Sequence, residues 1–318
     1  MGDKNRIGFG MAAIGRPLYI NLKQKPSTSF DMGAFRQKGT TMLEKAYALG
    51  IRYFDTAPGY GMAEALLLDW LSAKEDANVE VATKWGYTYV ADFDPNATRH
   101  EVKEHSVSKL NEQWEVSKAI LPHLTTYQIH SATFETGVLN NKDVLSRLAE
   151  LKEEYGLHIG LSTTGANHIE VLKKGLEVAV EGKGLFDAFQ VTYNIFDQSL
   201  ANVGTDIAAQ GKRLIIKEAM ANGRILPNKA YPHYSKAHDY LIQLAEQYEV
   251  GPDAIALRFC MDSIPAFKVL SGAATERHLI ENLKAASFKL EEEAIERLKA
   301  YAVPPGQYWT ERKQLQWN

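Results

Sequence analysis

Cysteine is almost absent from this chain of 318 residues: Cys260 stands alone, so no disulfide can close within one copy. Its setting, the apolar stretch Ala254-Ile-Ala-Leu-Arg-Phe-Cys-Met261, reads as a helix carrying a buried structural thiol. No run approaches 18 consecutive apolar residues, which excludes a membrane-spanning helix. The N-terminus, Met1-Gly-Asp-Lys-Asn-Arg-Ile-Gly8, shows no apolar run behind a basic head, so no secretory signal is read there and a soluble, cytoplasmic protein is expected. Excess charge of one sign is lacking too. Lys and Arg total 36 against 39 Asp and Glu, a net charge of −3 with no basic stripe, which argues against nucleic acid and anionic membrane surfaces as partners. Internal repeats, low-complexity segments and a Gly-rich dinucleotide fingerprint are also lacking.

What is present is ample apolar content, 45% of residues, enough for one large core and consistent with a single domain. Strand-like runs alternate with helical patterns. Ile7–Ile14 reads as the first strand, followed by a long loop over residues 15–32. Further strands are expected around Asp55, Lys84 and His130, at 158–162, 188–193, 213–217 and 267–270. Helices are expected at about 35–49, 63–73, 143–155, 168–180, 203–210, 238–248, 252–262, 275–286 and 291–301. Thr98-Arg-His-Glu101 has the form of a capping box opening a helix toward Ile120. From about residue 302 the tail Pro304-Pro-Gly-Gln-Tyr-Trp-Thr-Glu-Arg-Lys reads as a loop. Eight strand-then-helix units predict a closed (β/α)8 TIM barrel, one α/β domain over residues 1–318.

Chemistry gathers at the strand ends. Ile51-Arg-Tyr-Phe-Asp-Thr-Ala-Pro-Gly-Tyr-Gly61 breaks at Pro58-Gly59 with Asp55 and Tyr60 at its far end. Val79-Glu-Val-Ala-Thr-Lys-Trp-Gly86 ends in Lys84, and Thr125-Thr-Tyr-Gln-Ile-His-Ser131 ends in His130. A lysine closing an apolar strand is unusual, because burying an ammonium costs several kcal/mol unless it is paired. Asp55 is the candidate partner. A purely structural reading is an Asp–Lys ion pair filling the barrel mouth beside a core tyrosine and histidine. Four such residues in order on successive strands favour a catalytic group.

Asp55-Thr-Ala-x-x-Tyr60-Gly61, Thr83-Lys84-Trp85-Gly86 and Gln128-Ile-His130 together resemble the signatures of the aldo/keto reductase family. The likeness extends through Gly160-Leu-Ser162, Gln190-Val-Thr-Tyr-Asn194 and Glu281-Asn282. It implies reduction of an aldehyde or ketone with hydride from a nicotinamide, without a metal. Tyr60 would be the proton donor, with Lys84 favouring its phenolate, Asp55 holding Lys84, and His130 orienting the carbonyl. Cofactor contacts are implied for Met11, Ser162, Thr163, Gln190, Met220, Asn222, Gly223, Gly272, Arg277, His278, Glu281 and Asn282, and for Lys217, which stands where the family commonly carries an aromatic stacked on the nicotinamide. Tyr19, Trp85, Phe93 and Trp309 are the expected substrate-pocket residues, for an apolar or sugar-like carbonyl compound. NADPH is expected over NADH by a modest margin through Arg277, since Gly272 and His278 replace the family's usual basic residues there. Family barrels usually begin with a hairpin under the barrel, for which the chain before Ile7 looks too short.

The expected partner is a small-molecule carbonyl compound, and the expected state a monomer or weak homo-oligomer. Two rival readings remain: an NADPH-sensing regulatory subunit with little turnover, and a metal-dependent lyase or isomerase. The intact four residues disfavour the first, and the scarcity of converging His and carboxylate ligands disfavours the second.

Overall fold

The computed structural model describes residues 3–22, 30–94 and 96–317; residues 23–29 of the expected loop after the first strand lie outside it. Eight parallel strands close into a barrel: β1 Ile7–Gly10, β2 Tyr53–Asp55, β3 Glu80–Trp85, β4 Leu124–Ala132, β5 His158–Thr163, β6 Ala188–Thr192, β7 Arg213–Lys217 and β8 Lys268–Ser271. Each strand pairs with the next, and β8 pairs with β1, the (β/α)8 arrangement expected. No helix among the described residues is long and apolar enough to cross a membrane.

The strands are apolar on both faces because both faces are covered, yet the period of two still sorts them. Phe54, Val81, Leu161, Phe189, Leu214, Ile216 and Val269 join the large cluster between barrel and helices. Their neighbours Tyr53, Ala82, Ala188, Ile215 and Leu270 form a second, smaller cluster, which fills the barrel interior. That inner layer is the floor on which the site stands.

Helices fall close to the expected spans, with five differences. β1 stops at Gly10, and Ala12–Gly15 is a helical turn. Ala12–Ile14 continue the apolar run, so composition hid the break. The expected helix 168–180 ends at Glu177, and Ala179–Val180 pairs with Lys183–Gly184 in a small hairpin. The capping box does not form. Glu101–Lys103 is instead a strand paired antiparallel with Tyr87–Tyr89, and the helix starts at Val107, where the Ser106 side chain accepts from Lys109 N at 3.1 Å. Glu101 is drawn away by an ion pair with Arg16. The tail is not a loop, for Pro305–Gln314 is helical. A proline in the first turn suits a helix start, but its buried residues, Tyr308 and Trp309, are adjacent and leave no periodic stripe to read. Before β1, Asp3–Arg6 forms a single 3-10 turn, tied to the barrel's underside by Asp3 with Arg258 at 2.7 Å.

Candidate active site

Two residues beyond the apolar floor, roughly 6.6 Å further along each strand, the inward positions turn polar. Tyr53 gives way to Asp55, Ala82 to Lys84, Gly160 to Ser162, Ala188 to Gln190 and Ile215 to Lys217, while on β4 the residue two before His130 is already polar, Gln128. The barrel's parallel register therefore brings together residues up to 162 positions apart in sequence (55 to 217).

Lys84 Nζ donates to Asp55 Oδ2 at 2.6 Å and to the Thr56 carbonyl at 3.0 Å, and both side chains are sealed from solvent. Gln190 Nε2 donates to Asp55 Oδ1 at 2.6 Å. Tyr60 stands above this group on the turn after β2, its ring 4.9 Å from Lys84 Nζ and edge-on to His130 with centroids 5.4 Å apart. A register shift in β4 between Ile129 and Ala132, with Ser131 in the left-handed region at φ 54, bends the strand at His130. Such bulges re-aim side chains near functional sites. Ser131 N is taken up by Ser162 Oγ at 2.8 Å. His130 Nδ1 is buried with no partner among the described residues.

Asp55, Tyr60 and His130 line a cavity of about 1570 Å³. Of the expected contacts, Tyr19, Ser162, Gln190, Lys217, Met220 and Asn222 line it, as do Gly223, Gly272, His278 and Asn282. Others point elsewhere. Thr163 and Trp85 alternate with inward residues and so face the helices, both fully buried; Thr164 takes the wall position instead. Met11 is buried behind the wall. Trp309, on the buried side of the tail helix, packs against His168 and donates to Asp197 Oδ2 at 3.1 Å. Phe93 lines a separate pocket with Pro58 and Gly61, stacked at 6.0 Å on Phe30. Arg277 is exposed and off the cavity wall, and Glu281 pairs with Lys284 at 2.9 Å.

Among the wall residues that were not anticipated are Arg16, Tyr87, Glu101, Glu218 and Arg312. Glu101 and Arg312 sat in segments read as a helix start and a loose tail. Arg312 clasps Glu218 Oε1 with Nη2 at 2.8 Å and Nε at 3.1 Å. Lys217 Nζ donates to Thr192 Oγ1 at 2.9 Å, so a cation does occupy the place where an aromatic was the family habit.

The aldo/keto reductase family model matches residues 6–302. The chain belongs to the aldo/keto reductase family. It is an NAD(P)-dependent oxidoreductase of that family. An aldo-keto reductase, str7, of Strobilurus tenacellus is 25% identical, covering 94% of this chain and 89% of that one. The NADH-specific methylglyoxal reductase of Escherichia coli is 24% identical, covering 90% and 91%. A glycerol dehydrogenase from Gluconobacter oxydans superposes with a TM-score of 0.70 at 20% identity, over 94% of this chain and 92% of that one; the last shows likeness of fold.

The reductase's cavity suits a nicotinamide dinucleotide. It is larger than a drug-sized site, and it runs from Tyr60 to Thr275, where the helix Glu276–Leu283 begins. That helix presents the positive end of its dipole behind the small residues Gly272, Ala273 and Ala274, a setting that favours phosphate. A side chain at Gly272 would project into open space. Gly223 differs, since Asn21 and Leu22 already fill the space beside it. Among the described residues no cluster of three His, Cys, Asp or Glu is arranged to hold a metal ion.

Burial dominates the site's electrostatics. It pulls the Lys84 ammonium below its ordinary pKa, with Asp55 opposing, and drives His130 well below its own, helped by Lys84 and Arg16. His130 is therefore neutral near pH 7. Tyr60 is raised well above the usual phenol value, first by burial and then by Asp55, and the cation that opposes them is Arg16. On balance burial and the nearby carboxylates hold this phenol high in the resting site.

Proposed function

We propose that this oxidoreductase reduces an aldehyde or ketone to an alcohol, with Tyr60 giving the proton and neutral His130 hydrogen-bonding the carbonyl oxygen. The observation that carries this reading is the convergence of Asp55, Lys84, Tyr60 and His130 at one end of a cavity large enough for a dinucleotide and a small substrate. When bound, the reduced nicotinamide supplies the hydride. Ser162 and Gln190 would hold its carboxamide, and Met220, Asn222 and the segment from Gly272 to Thr275 would hold its phosphates and ribose. Asp55, itself held by Gln190, fixes Lys84, and the apolar floor beneath keeps water from the reacting carbon. A high phenol pKa keeps Tyr60 protonated, as a donor must be; His130, lacking charge, can donate one N–H without competing for that proton.

The wall near Tyr60 is polar and aromatic, with Tyr19, Tyr87, Glu101 and Arg16, and Trp85 and Trp309 face away. This supports the sugar-like alternative, a small carbonyl compound bearing hydroxyl or further oxygen groups. A curated relative named for methylglyoxal reduction fits that class. NADPH is the expected coenzyme with NADH usable, and a narrow margin is supported by Arg277 standing off the wall while the Asp253 carboxylate lines it. The test is a panel of hydroxylated, α-oxo and purely apolar aldehydes and ketones followed by NADPH and NADH oxidation. Best turnover of the oxygen-rich members is the expected result; no turnover of any would end the reading.

A further inference from the structure

Gly15 and Gly61 meet closely. Gly15 O accepts from Met62 N at 2.8 Å, a Cβ on either glycine would strike the other segment's backbone, and Gly61 has φ 64, which a side chain would strain. This approach seats Arg16, 4% exposed, on the turn that carries Tyr60. Its Nη1 donates to the Gly59 carbonyl at 3.0 Å and to Glu101 Oε2 at 2.8 Å. The guanidinium carbon lies 5.2 Å from the centre of the Tyr60 ring, 5.2 Å from that of Tyr19 and 4.7 Å from that of Trp317. Trp317 stacks in turn on His100 at 4.3 Å. One buried cation thus joins the segment after β1, the Tyr60 turn, the strand bearing Glu101 and the chain's last described residue.

We infer that Arg16 is a positioning residue for Tyr60, fixing the turn that carries the phenol and setting a permanent positive charge beside it. The inference rests on reading Tyr60 as the proton donor. A guanidinium suits the task better than an ammonium, because its flat fork can lie on aromatic rings while donating in its own plane. Other charges also face Tyr60. Asp55 lies below it with Lys84, and His130 and Tyr87 stand beside it. Glu101, Glu218 and Tyr19 approach from the strand after the hairpin turn and from the loops. Asp55, Glu101 and Glu218 disfavour the phenolate, and Arg16 counters them. Removing Arg16 must therefore raise the phenol's pKa, and neutralising Glu101 must lower it.

Alcohol oxidation tests the signs, since Tyr60 must then be phenolate to accept the proton. Arg16→Met, Arg16→Lys and Glu101→Gln would be compared with wild type in rate against pH and in cofactor Kd by fluorescence. Arg16→Met should slow oxidation at about pH 8 by about tenfold or more and move the rising limb to higher pH. Glu101→Gln should move it to lower pH, and Arg16→Lys should leave it near wild type with a reduced kcat. Cofactor Kd should hold throughout. A merely structural Arg16 would lower rates without opposite shifts, so limbs that move together or not at all overturn the inference alone. Wild-type protein without turnover overturns the reductase reading and this inference with it. If Arg16→Met fails to fold, the Lys and Gln variants decide: a Gln limb unmoved, or moved upward, overturns the idea.

Discussion

Lys84 and Asp55 face each other across 2.6 Å in the barrel mouth, with no solvent exposure for the lysine side chain and 4% for the aspartate. A pair this dry is costly to break from one side. Replacing Lys84 with Met should strand a buried carboxylate and lower stability by about 3 kcal/mol or more. Carbonyl reduction should fall as well, because Asp55 and the Thr56 carbonyl lose the donor they share. Chemical denaturation together with steady-state rates would show it. An unchanged denaturation midpoint with full activity would mean the pair contributes nothing.

Glu64, buried between the helix Ala63–Leu71 and β3, accepts hydrogen bonds from Thr83 and Ser117. Burial pushes its carboxyl up to about 7 from 4.5. A raised carboxyl pKa means the folded state binds a proton that the unfolded state has released. Its stabilising contribution is therefore full below about 4.5 and is lost as pH rises through about 7. Melting curves of wild type and Glu64→Gln should diverge over that window, wild type weakening relative to the variant by on the order of 1 kcal/mol per pH unit. Parallel curves would show that Glu64 ionises normally.

Arg312 and Glu218 latch the tail helix onto the cavity rim. Burial would raise the Glu218 carboxyl, but Arg312 and Lys217 outweigh it and hold it at about 2. Arg312→Ala leaves that carboxylate with Lys217 at 3.9 Å as its nearest cation. Limited proteolysis should then cut near Pro304–Gln314 faster than in wild type. A cleavage rate unchanged by the substitution would show that Trp309 and Tyr308 anchor the helix unaided.

Cofactor discrimination should be slight. With Arg277 off the wall, Kd values for NADPH and NADH measured by fluorescence should differ by no more than about tenfold, and Arg277→Ala should change the ratio little. A ratio above a hundredfold that collapses on that substitution would show that Arg277 swings in to hold the phosphate.

The barrel and the polar strand ends could be read from sequence because both obey a local rule. Apolar runs stopped by turn residues mark strands, and Asp55, Lys84 and His130 stand at their far ends. Face was harder to read than order. Thr163 and Met11 are one position away from wall residues and Trp85 is one away from the inward-facing Lys84, and in strands apolar on both sides nothing in composition says which neighbour points inward. Arg16, Glu101 and Arg312 stayed hidden for another reason: their partners lie 85 and 94 residues away. Such pairings exist only once the barrel closes. Glu101 shows the consequence, since a capping pattern of local worth about 1 kcal/mol yields to a half-buried ion pair.

The account turns on Tyr60 as the proton donor, and Tyr60→Phe removes one hydroxyl while keeping the ring that packs on His130 and Arg16. Single-turnover reduction of the best aldehyde in the panel, with NADPH binding measured in parallel, is the direct measurement. A rate lower by a factor on the order of 10² to 10⁴ with cofactor Kd unchanged is the predicted result. A rate within about threefold of wild type would contradict the account, because the proton would then come from another group.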